Sequence, residues 1–251
     1  MARLKSLLKV EGTIDDLSFY QSKDGHLVRK KGGVKSSQIL NDPKFARTRE
    51  NMQEFGQLAQ TGKIFRDALR TFSFGSTDVR LFGRLSKRLN AIKLLDTFHP
   101  RGQRTIAKAL QTEEAVKQFV GFTLNDRAIL SQVYRGIYSL DLEAAKMNFQ
   151  AMQTEISISA PQGATQTGFQ FMWTRIDFES GSSVNGVSNE HIILLDKSKS
   201  TPGFELVAPS ITSGTGVLLI VFKLNFYQTV NGQLYPLNSG ASNPVEIIAA
   251  V

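Results

Sequence analysis

The spacing of apolar and polar residues divides the chain into a largely helical first half and a β-rich second half. The first 33 residues alternate as strands do, and Lys23-Asp24-Gly25 between two strand-like runs predicts a β-hairpin. Asp42-Pro43 then predicts a helix start, followed by apolar residues at helical spacing over 45–72. A second helix is predicted from Ser76. Its single apolar stripe consists of Val79, Phe82, Leu85, Leu89, Ile92 and Leu95.

Two further features refine the helical half. Gly56 and Gly62 interrupt the first helix, and because each costs about 1 kcal/mol against Ala, they predict either a break or a close helix contact. A short helix is predicted over 112–119, where Glu residues lie near the positive end of the helix dipole.

From about residue 137, short apolar runs separated by Gly, Ser, Pro and Asn predict strands, including one at 155–159 and one at 217–229. Asn231-Gly232 predicts a type I′ hairpin turn. Seven or eight short strands at regular spacing indicate an immunoglobulin-like sandwich, and without a Cys pair it must be held by packing. The expected core residues are Trp173, Phe169, Phe171, Phe222 and Phe226.

The predicted fold is therefore α+β, with two regions. An N-terminal β-hairpin and basic helices over 1–136 precede a C-terminal immunoglobulin-like antiparallel β-sandwich over 137–251. The last strand, 245–251, is expected to pair in its own sheet or to add to the sheet of a neighbouring molecule.

Charge is distributed unevenly between the two halves. Residues 1–108 hold 22 of the 30 Lys and Arg but 10 of the 22 Asp and Glu, a net charge of +12. Residues 109–251 hold the remaining 8 basic and 12 acidic residues, a net charge of −4. Opposite charges on one molecule favour head-to-tail association, and a strongly basic segment also attracts polyanions.

Composition excludes several classes of protein. Apolar content of 41% with 17 Phe predicts a folded core. The absence of Cys excludes disulfides, thiolate metal sites and thiol catalysis, and it is compatible with the cytosol. We expect neither a signal peptide nor a membrane span, because Lys9 and Glu11 break the first apolar run and no run approaches about 18 residues.

No arrangement of residues predicts catalysis or a cofactor. His26, His99 and His191 lie in different predicted elements and outside metal-binding spacings. The acidic pairs Asp15-Asp16 and Asp141/Glu143 fit solvated turns and edges, and Ser213-Gly-Thr-Gly216 lacks the helix that a phosphate loop requires. We therefore expect a protein that is not an enzyme and that has neither cofactor nor metal.

The basic residues of the helical half are the main functional signal. They fit a solvated helix face, an intersubunit ion-pair surface, or a surface that neutralises nucleic-acid phosphates. The predicted contact residues, for assembly or for a polyanion, are Arg80, Arg84, Lys87 and Arg88.

Several stretches together resemble a family of uncharacterised proteins from Bacteroidota-type bacteria. They are 10–25, 27–33, 41–51 with Glu54-Phe-Gly56, 161–165 and 226–235. The family has no assigned activity, cofactor or catalytic residue, so the resemblance implies a bacterial, cytoplasmic protein and transfers no functional role.

The sequence favours a self-assembling structural protein, the subunit of a filament, tube or phage-like particle, whose main partner is itself. The alternative is a protein that binds nucleic acid without sequence preference through its basic half. A third class, an enzyme or a carbohydrate-binding sandwich, requires a pocket near Trp173 or a sandwich loop.

Overall fold

A computed structural model describes residues 2–3, 10–22, 25–30, 32–76, 78–196 and 200–251. Helices and antiparallel sheets are both present, as the α+β prediction requires. The chain forms two compact units, 1–51 and 52–251. The predicted boundary between 136 and 137 lies inside the second unit, and residues from both sides of it share one core.

The first unit contains a small antiparallel sheet of strands in the order β1-β4-β3-β2. Its turn residues Lys23 and Asp24 lie outside the described residues, whereas β3 and β4 on either side pair from Ser22↔Gly25 onward. A short helix, α1, follows the sheet. The element bounds are β1 Ala2–Arg3, β2 Gly12–Ile14, β3 Leu17–Ser22, β4 Gly25–Lys30 and α1 Ser36–Asn41.

The predicted helix start at Asp42-Pro43 is confirmed. The Asp42 carboxylate accepts a hydrogen bond from the Lys44 N–H (2.9 Å), a 3-10 turn covers Pro43–Phe45, and helix α2 runs over Ala46–Leu69. The helix continues through Gly56 and Gly62, so the predicted break is wrong. The alternative, a close contact, is confirmed at Gly62, where an added Cβ would lie 3.5 Å from a methyl carbon of Leu89.

Helix α3 spans Leu81–Lys93, so the predicted start at Ser76 is wrong. The buried stripe begins at Leu81 and continues, at spacings of four, four and three, through Leu85, Leu89 and Ile92. Val79 precedes the helix and Phe82 lies beside the stripe, and both are exposed. The predicted stripe was therefore wrong at its first two positions.

The rest of the second unit consists of short helices and strands of mixed length. The predicted strand at 155–159 is wrong, because 154–157 form one helical turn. The predicted helix over 112–119 is confirmed as α5, with the Thr112 side chain as its N-cap. The bounds are α4 Ile106–Ala109, α5 Glu113–Lys117, α6 Leu130–Val133, β5 Tyr138–Asp141, β6 Lys146–Phe149, β7 Met152–Gln153, α7 Thr154–Ser157, β8 Gln166–Ile176, β9 Ser183–Val187, β10 His191–Leu194, β11 Ser200–Thr201, β12 Phe204–Val207, β13 Val217–Val230, β14 Gln233–Pro236, a 3-10 turn Leu237–Gly240 and β15 Val245–Ala250.

Among the described residues, a six-stranded antiparallel sheet, here called the large sheet, organises the second unit. Strands β8 and β13 form its centre, with β9 and β10 beside β8, and β14 and β15 beside β13. One face packs against helices α2, α3 and α5. The other packs against a sheet of β12, β6 and β5. Alternation along β13 supplies both cores, with Leu219 and Val221 on the helical side and Ile220 and Phe222 on the other.

Two predictions for the β-rich half are confirmed. Trp173 and the four predicted Phe residues are buried in the second core, and the Trp173 indole N–H donates to the Pro209 carbonyl at 2.7 Å. Asn231 and Gly232 both have positive φ, 51° and 77°, as a type I′ turn between β13 and β14 requires.

The C-terminal strand β15 pairs within its own chain. One edge bonds to β13, and the other bonds to 121–124 through Gly121 N–H to the Ile247 carbonyl (2.8 Å) and Leu124 N–H to the Val245 carbonyl (2.7 Å). Because both edges are occupied, β15 is not free to add to the sheet of a neighbour.

Candidate functional site

The four basic residues predicted as a contact surface fall into two groups. Arg80 and Lys87 are exposed. Arg84 is bonded within the molecule. Its guanidinium donates to the Thr123 carbonyl (2.7 Å) and forms an ion pair with Asp78. Arg84 is therefore an internal link rather than a free cation.

Arg88 has a similar internal role. Its guanidinium donates to the Gln118 carbonyl at 2.6 Å, and it lies 5.8 Å from the centroid of the Phe122 ring. Arg84 lies 5.6 Å from the same centroid. The two arginines thus hold segment 118–123 against helix α3, and that segment in turn pairs with β15.

Asp78 reinforces this link. Burial alone would raise the pKa of Asp78, but hydrogen bonds from the Asp126 N–H (3.0 Å), the Arg84 guanidinium and the Arg80 N–H (2.6 Å) hold that pKa below its ordinary value. The carboxylate therefore stays charged and joins the start of α3 to the segment beyond residue 123.

An exposed apolar surface lies between α2 and α3. Its side chains are Phe74, 84% exposed, Val79, 87% exposed, and Phe82, 51% exposed. With Arg66, Arg70 and Arg80, these three side chains define what we call the Phe74 surface. Exposed apolar side chains that form one contiguous patch are typical of an interaction site, which makes this surface a candidate.

The Phe74 surface contains a groove of about 290 Å³ whose walls include Leu69, Phe74 and Leu81. Arg66 and Arg70 also line it, and the Arg66 guanidinium lies 5.4 Å from the centroid of the Phe82 ring. The groove is therefore apolar at its base and positively charged at its rim, which suits a partner that combines apolar and acidic groups.

A second candidate region lies where the helical side of the large sheet changes from apolar to polar. Along β13, Val221 belongs to the core under the helices, and the next residues on the same face are Lys223, Asn225 and Tyr227. We call these three residues the polar end of the sheet. Lys223 and Asn225 are buried, so their polar groups need partners.

Glu190 is the hydrogen-bond partner of two residues at the polar end of the sheet. Its Oε1 accepts hydrogen bonds from the Asn225 amide and the Tyr227 hydroxyl, both at 2.7 Å. Gly168, opposite Asn225 on β8, leaves the space for this carboxylate, because a Cβ there would collide with it. Burial, and then the hydrogen bond to Glu190, raise the pKa of Tyr227, which stays a neutral donor.

Asn243 completes the network from the side of β15. Its amide N–H donates to the Asn225 side-chain oxygen and its own oxygen accepts from the Phe226 N–H, both at 3.0 Å. The amide of Asn125 donates to the Asn243 carbonyl at 2.9 Å. The neutral side chains at the polar end are therefore bonded to each other or to Glu190.

Lys223 is the exception in this network. It is 9% exposed, and its ammonium donates one hydrogen bond, to the Phe72 carbonyl at 3.0 Å. Within the described part of the chain no carboxylate lies within 4.0 Å of it. Burial lowers the pKa of Lys223, and the charge of Glu190 opposes that effect. Lys223 is one of the residues that line a cavity of about 430 Å³.

A cleft of about 480 Å³ lies elsewhere, beside His99 and Lys108. The His99 ring nitrogen Nδ1 lies 2.8 Å from buried Asp96, a pairing that can orient a catalytic base. However, Asp96 also accepts the N–H groups of Phe98, His99 and Thr105, which makes it an organiser of this loop. The cleft lining provides no Ser and no Cys, and its Thr105 hydroxyl accepts the Lys108 N–H.

The described residues include neither a metal-binding cluster nor a membrane-spanning helix. They contain no group of three or more His, Asp or Glu that could hold a metal ion. They also contain no helix with the length and hydrophobicity needed to cross a bilayer.

Sequence reasoning missed both candidate regions, although each has a signal. At the Phe74 surface, the series Leu81, Leu85, Leu89 is a better helical repeat than one that begins at Val79, and it places Phe82 outside the core. At the polar end, Lys223 and Asn225 are polar residues two apart in an otherwise apolar strand, which places both on one face.

The comparisons with known proteins give no relative from which a role could be transferred. No protein-family model matches the chain, and neither a curated protein nor a solved structure gives a match. The resemblance to a Bacteroidota-type family therefore stays a prediction, and function must be argued from the geometry.

Proposed function

We propose that the protein is a self-assembling structural subunit that forms a filament, tube or particle by contact between copies of itself, without enzymatic activity. The observation that carries this proposal is the Phe74 surface, with two Phe and one Val more than half exposed and with Arg66 and Arg70 lining its groove. Leaving such a surface in water is unfavourable, and a second molecule would cover it.

The partner surface that complements it is the acidic turn between β5 and β6. Asp141 and Glu143 are exposed there, in the half of the chain with net charge −4. This turn belongs to the layer on one side of the large sheet, and the Phe74 surface belongs to the helical layer on the other side. A contact between unlike surfaces on opposite sides repeats from molecule to molecule, which produces open polymers or rings.

Electron microscopy tests the proposal. Purified, nuclease-treated protein should form regular filaments, tubes or rings at low salt and should lose them at high salt, where exposed charges are screened. The double variant R70E/R80E should fold normally, because both side chains are exposed. It should assemble poorly, because it reverses two charges of the Phe74 surface. Dispersed single molecules of the wild type under all conditions would contradict the proposal.

A second candidate function is binding of single-stranded nucleic acid on the same surface. The observation that favours it is the Arg66 guanidinium over the Phe82 ring, since basic and aromatic side chains together bind phosphates and stack with bases. Fluorescence anisotropy with a labelled oligonucleotide over a salt series separates the two functions. Binding that weakens steeply with salt and that prevents self-association would favour this candidate.

For the fold, we infer that the β-rich half is an immunoglobulin-like sandwich. What supports this is the packing of the large sheet on the β12-β6-β5 sheet around Trp173. Greek-key connections between the two sheets are the feature that an immunoglobulin-like sandwich requires.

A further inference from the structure

We propose that the cavity at the polar end of the large sheet binds a small organic carboxylate, with the Lys223 ammonium as the group that holds it. The inference does not depend on the proposed self-assembly. Four observations support this proposal. They are the burial of Lys223, the N–H donors of its ammonium that the Phe72 carbonyl does not take, the position of Glu190, and the lining of the cavity.

The positive charge of Lys223 is buried. Burying a cation without a counter-ion costs several kcal/mol, so proteins rarely do so without a compensating charge. Lys223 is 9% exposed, and its ammonium lies 5.7 Å from the centroid of the Phe72 ring. Of the three N–H donors of this ammonium, the Phe72 carbonyl takes one. Two donors remain for a ligand at the edge of the cavity.

Glu190 is an acidic group whose charge acts on Lys223. It lies beyond ion-pair distance, because Asn225 and Tyr227 bind the same carboxylate oxygen at 2.7 Å each. These two neutral donors hold Glu190 in the space that Gly168 leaves. A bound anion would therefore act as the counter-ion of Lys223.

The lining of the cavity selects the ligand. Phe74, Pro236 and the glycines at 75 and 240 line it with Lys223 and Asn243. One ammonium balances the single charge of a carboxylate, whereas a phosphate dianion would bring a second, uncompensated charge into the cavity. The rings of Phe74 and Pro236 provide an apolar wall, so we expect a carboxylate attached to a flat or apolar body.

Benzoate is a suitable probe, and benzamide is its neutral counterpart of nearly the same shape. Titration of wild-type protein, followed by NMR, should show saturable binding of benzoate with shifts at the Phe74, Gly75 and Gly240 amides. Benzamide should bind about tenfold more weakly or not at all, since a charged hydrogen bond is worth about 1.5–3 kcal/mol. Inorganic phosphate should bind more weakly than benzoate.

Variants locate the binding group. Lys223→Met should lose benzoate binding, Lys223→Arg should retain part of it, and Lys146→Met should bind as the wild type does, because Lys146 is paired with Glu205 at the surface (3.3 Å). The comparison of benzoate with benzamide uses the wild type alone, so it decides the question even if Lys223→Met does not fold. Equal binding of the two probes, no binding of benzoate, stronger binding of phosphate, or full binding by Lys223→Met would overturn the proposal.

Discussion

The Lys93 ammonium lies 2.6 Å from the Glu54 carboxylate, and both side chains are buried between helices α2 and α3. Glu54 also accepts the N–H of Gly102 at 2.7 Å, so the pair joins the two helices to the loop beyond α3. A buried pair of this kind depends on both partners, because either charge alone would be costly in the core.

Glu54→Gln should therefore lower the free energy of unfolding by about 3 kcal/mol, since it leaves Lys93 charged and buried. The matched control is Glu113→Gln, because Glu113 pairs with Lys117 at 2.5 Å on the surface. That change should lower the free energy of unfolding much less than Glu54→Gln does, because both partners of this pair are exposed and screened by water. Urea unfolding curves measure both, and equal losses would contradict the role of burial.

The same pair predicts how stability changes with pH. Burial would raise the pKa of Glu54, but Lys93 and the Gly102 N–H hold it below its ordinary value of 4.5. A carboxyl whose folded-state pKa is lowered stabilises the protein fully above that ordinary value, and its contribution is lost as pH falls through the folded-state pKa. The stability difference between wild type and Glu54→Gln should thus narrow from pH 7 to pH 3. A constant difference would contradict this assignment.

The arginines of α3 should separate into structural and surface residues. Arg84→Ala should cost about 2 kcal/mol, because it removes a charged hydrogen bond to the Thr123 carbonyl and leaves Asp78 without its cation. Arg80→Ala should change stability by about 0.5 kcal/mol or less, because that side chain is exposed. Thermal unfolding measures both, and the reverse order would contradict the placement of Arg84.

Two glycines should respond oppositely to alanine. At Gly56, in the middle of α2, an added Cβ meets no atom within 4 Å, so Gly56→Ala should stabilise the protein by about 0.5–1 kcal/mol. At Gly168 the Cβ would displace Glu190 from Asn225 and Tyr227, so Gly168→Ala should destabilise it by about 1–3 kcal/mol. Chemical denaturation tests both, and a stabilising Gly168→Ala would argue against the Glu190 network.

The features that could be predicted from sequence are those governed by local rules. Asp42-Pro43 begins a helix through its own side chain and ring, and Asn231-Gly232 turns the chain because both residues tolerate positive φ. The apolar run of β13 likewise predicts a buried strand. These residues need no distant partner to determine their structure.

The sequence predictions were wrong or incomplete where contacts between residues distant in sequence determine the structure. Val79 and Phe82 match a helical repeat, yet the helix starts at Leu81, so one lies outside it and the other beside its buried stripe. By sequence, Arg84 and Arg88 are equivalent to Arg80 and Lys87. In the structure, the first two donate hydrogen bonds to carbonyl groups of segment 118–123. The cavity at Lys223 is lined by strands and turns up to 169 residues apart in sequence, from Phe74 to Asn243, and no local pattern predicts such a site.

The measurement that tests the central claim most directly is sedimentation velocity over a range of protein concentrations. It compares the wild type with the double variant F74S/F82S and with F55S, which replaces a Phe that is similarly exposed (61%) on α2 outside the Phe74 surface. We predict that the wild type and F55S form large, salt-sensitive species and that F74S/F82S remains a folded monomer. A wild type that stays monomeric at every concentration, or a double variant that assembles as the wild type does, would contradict the account.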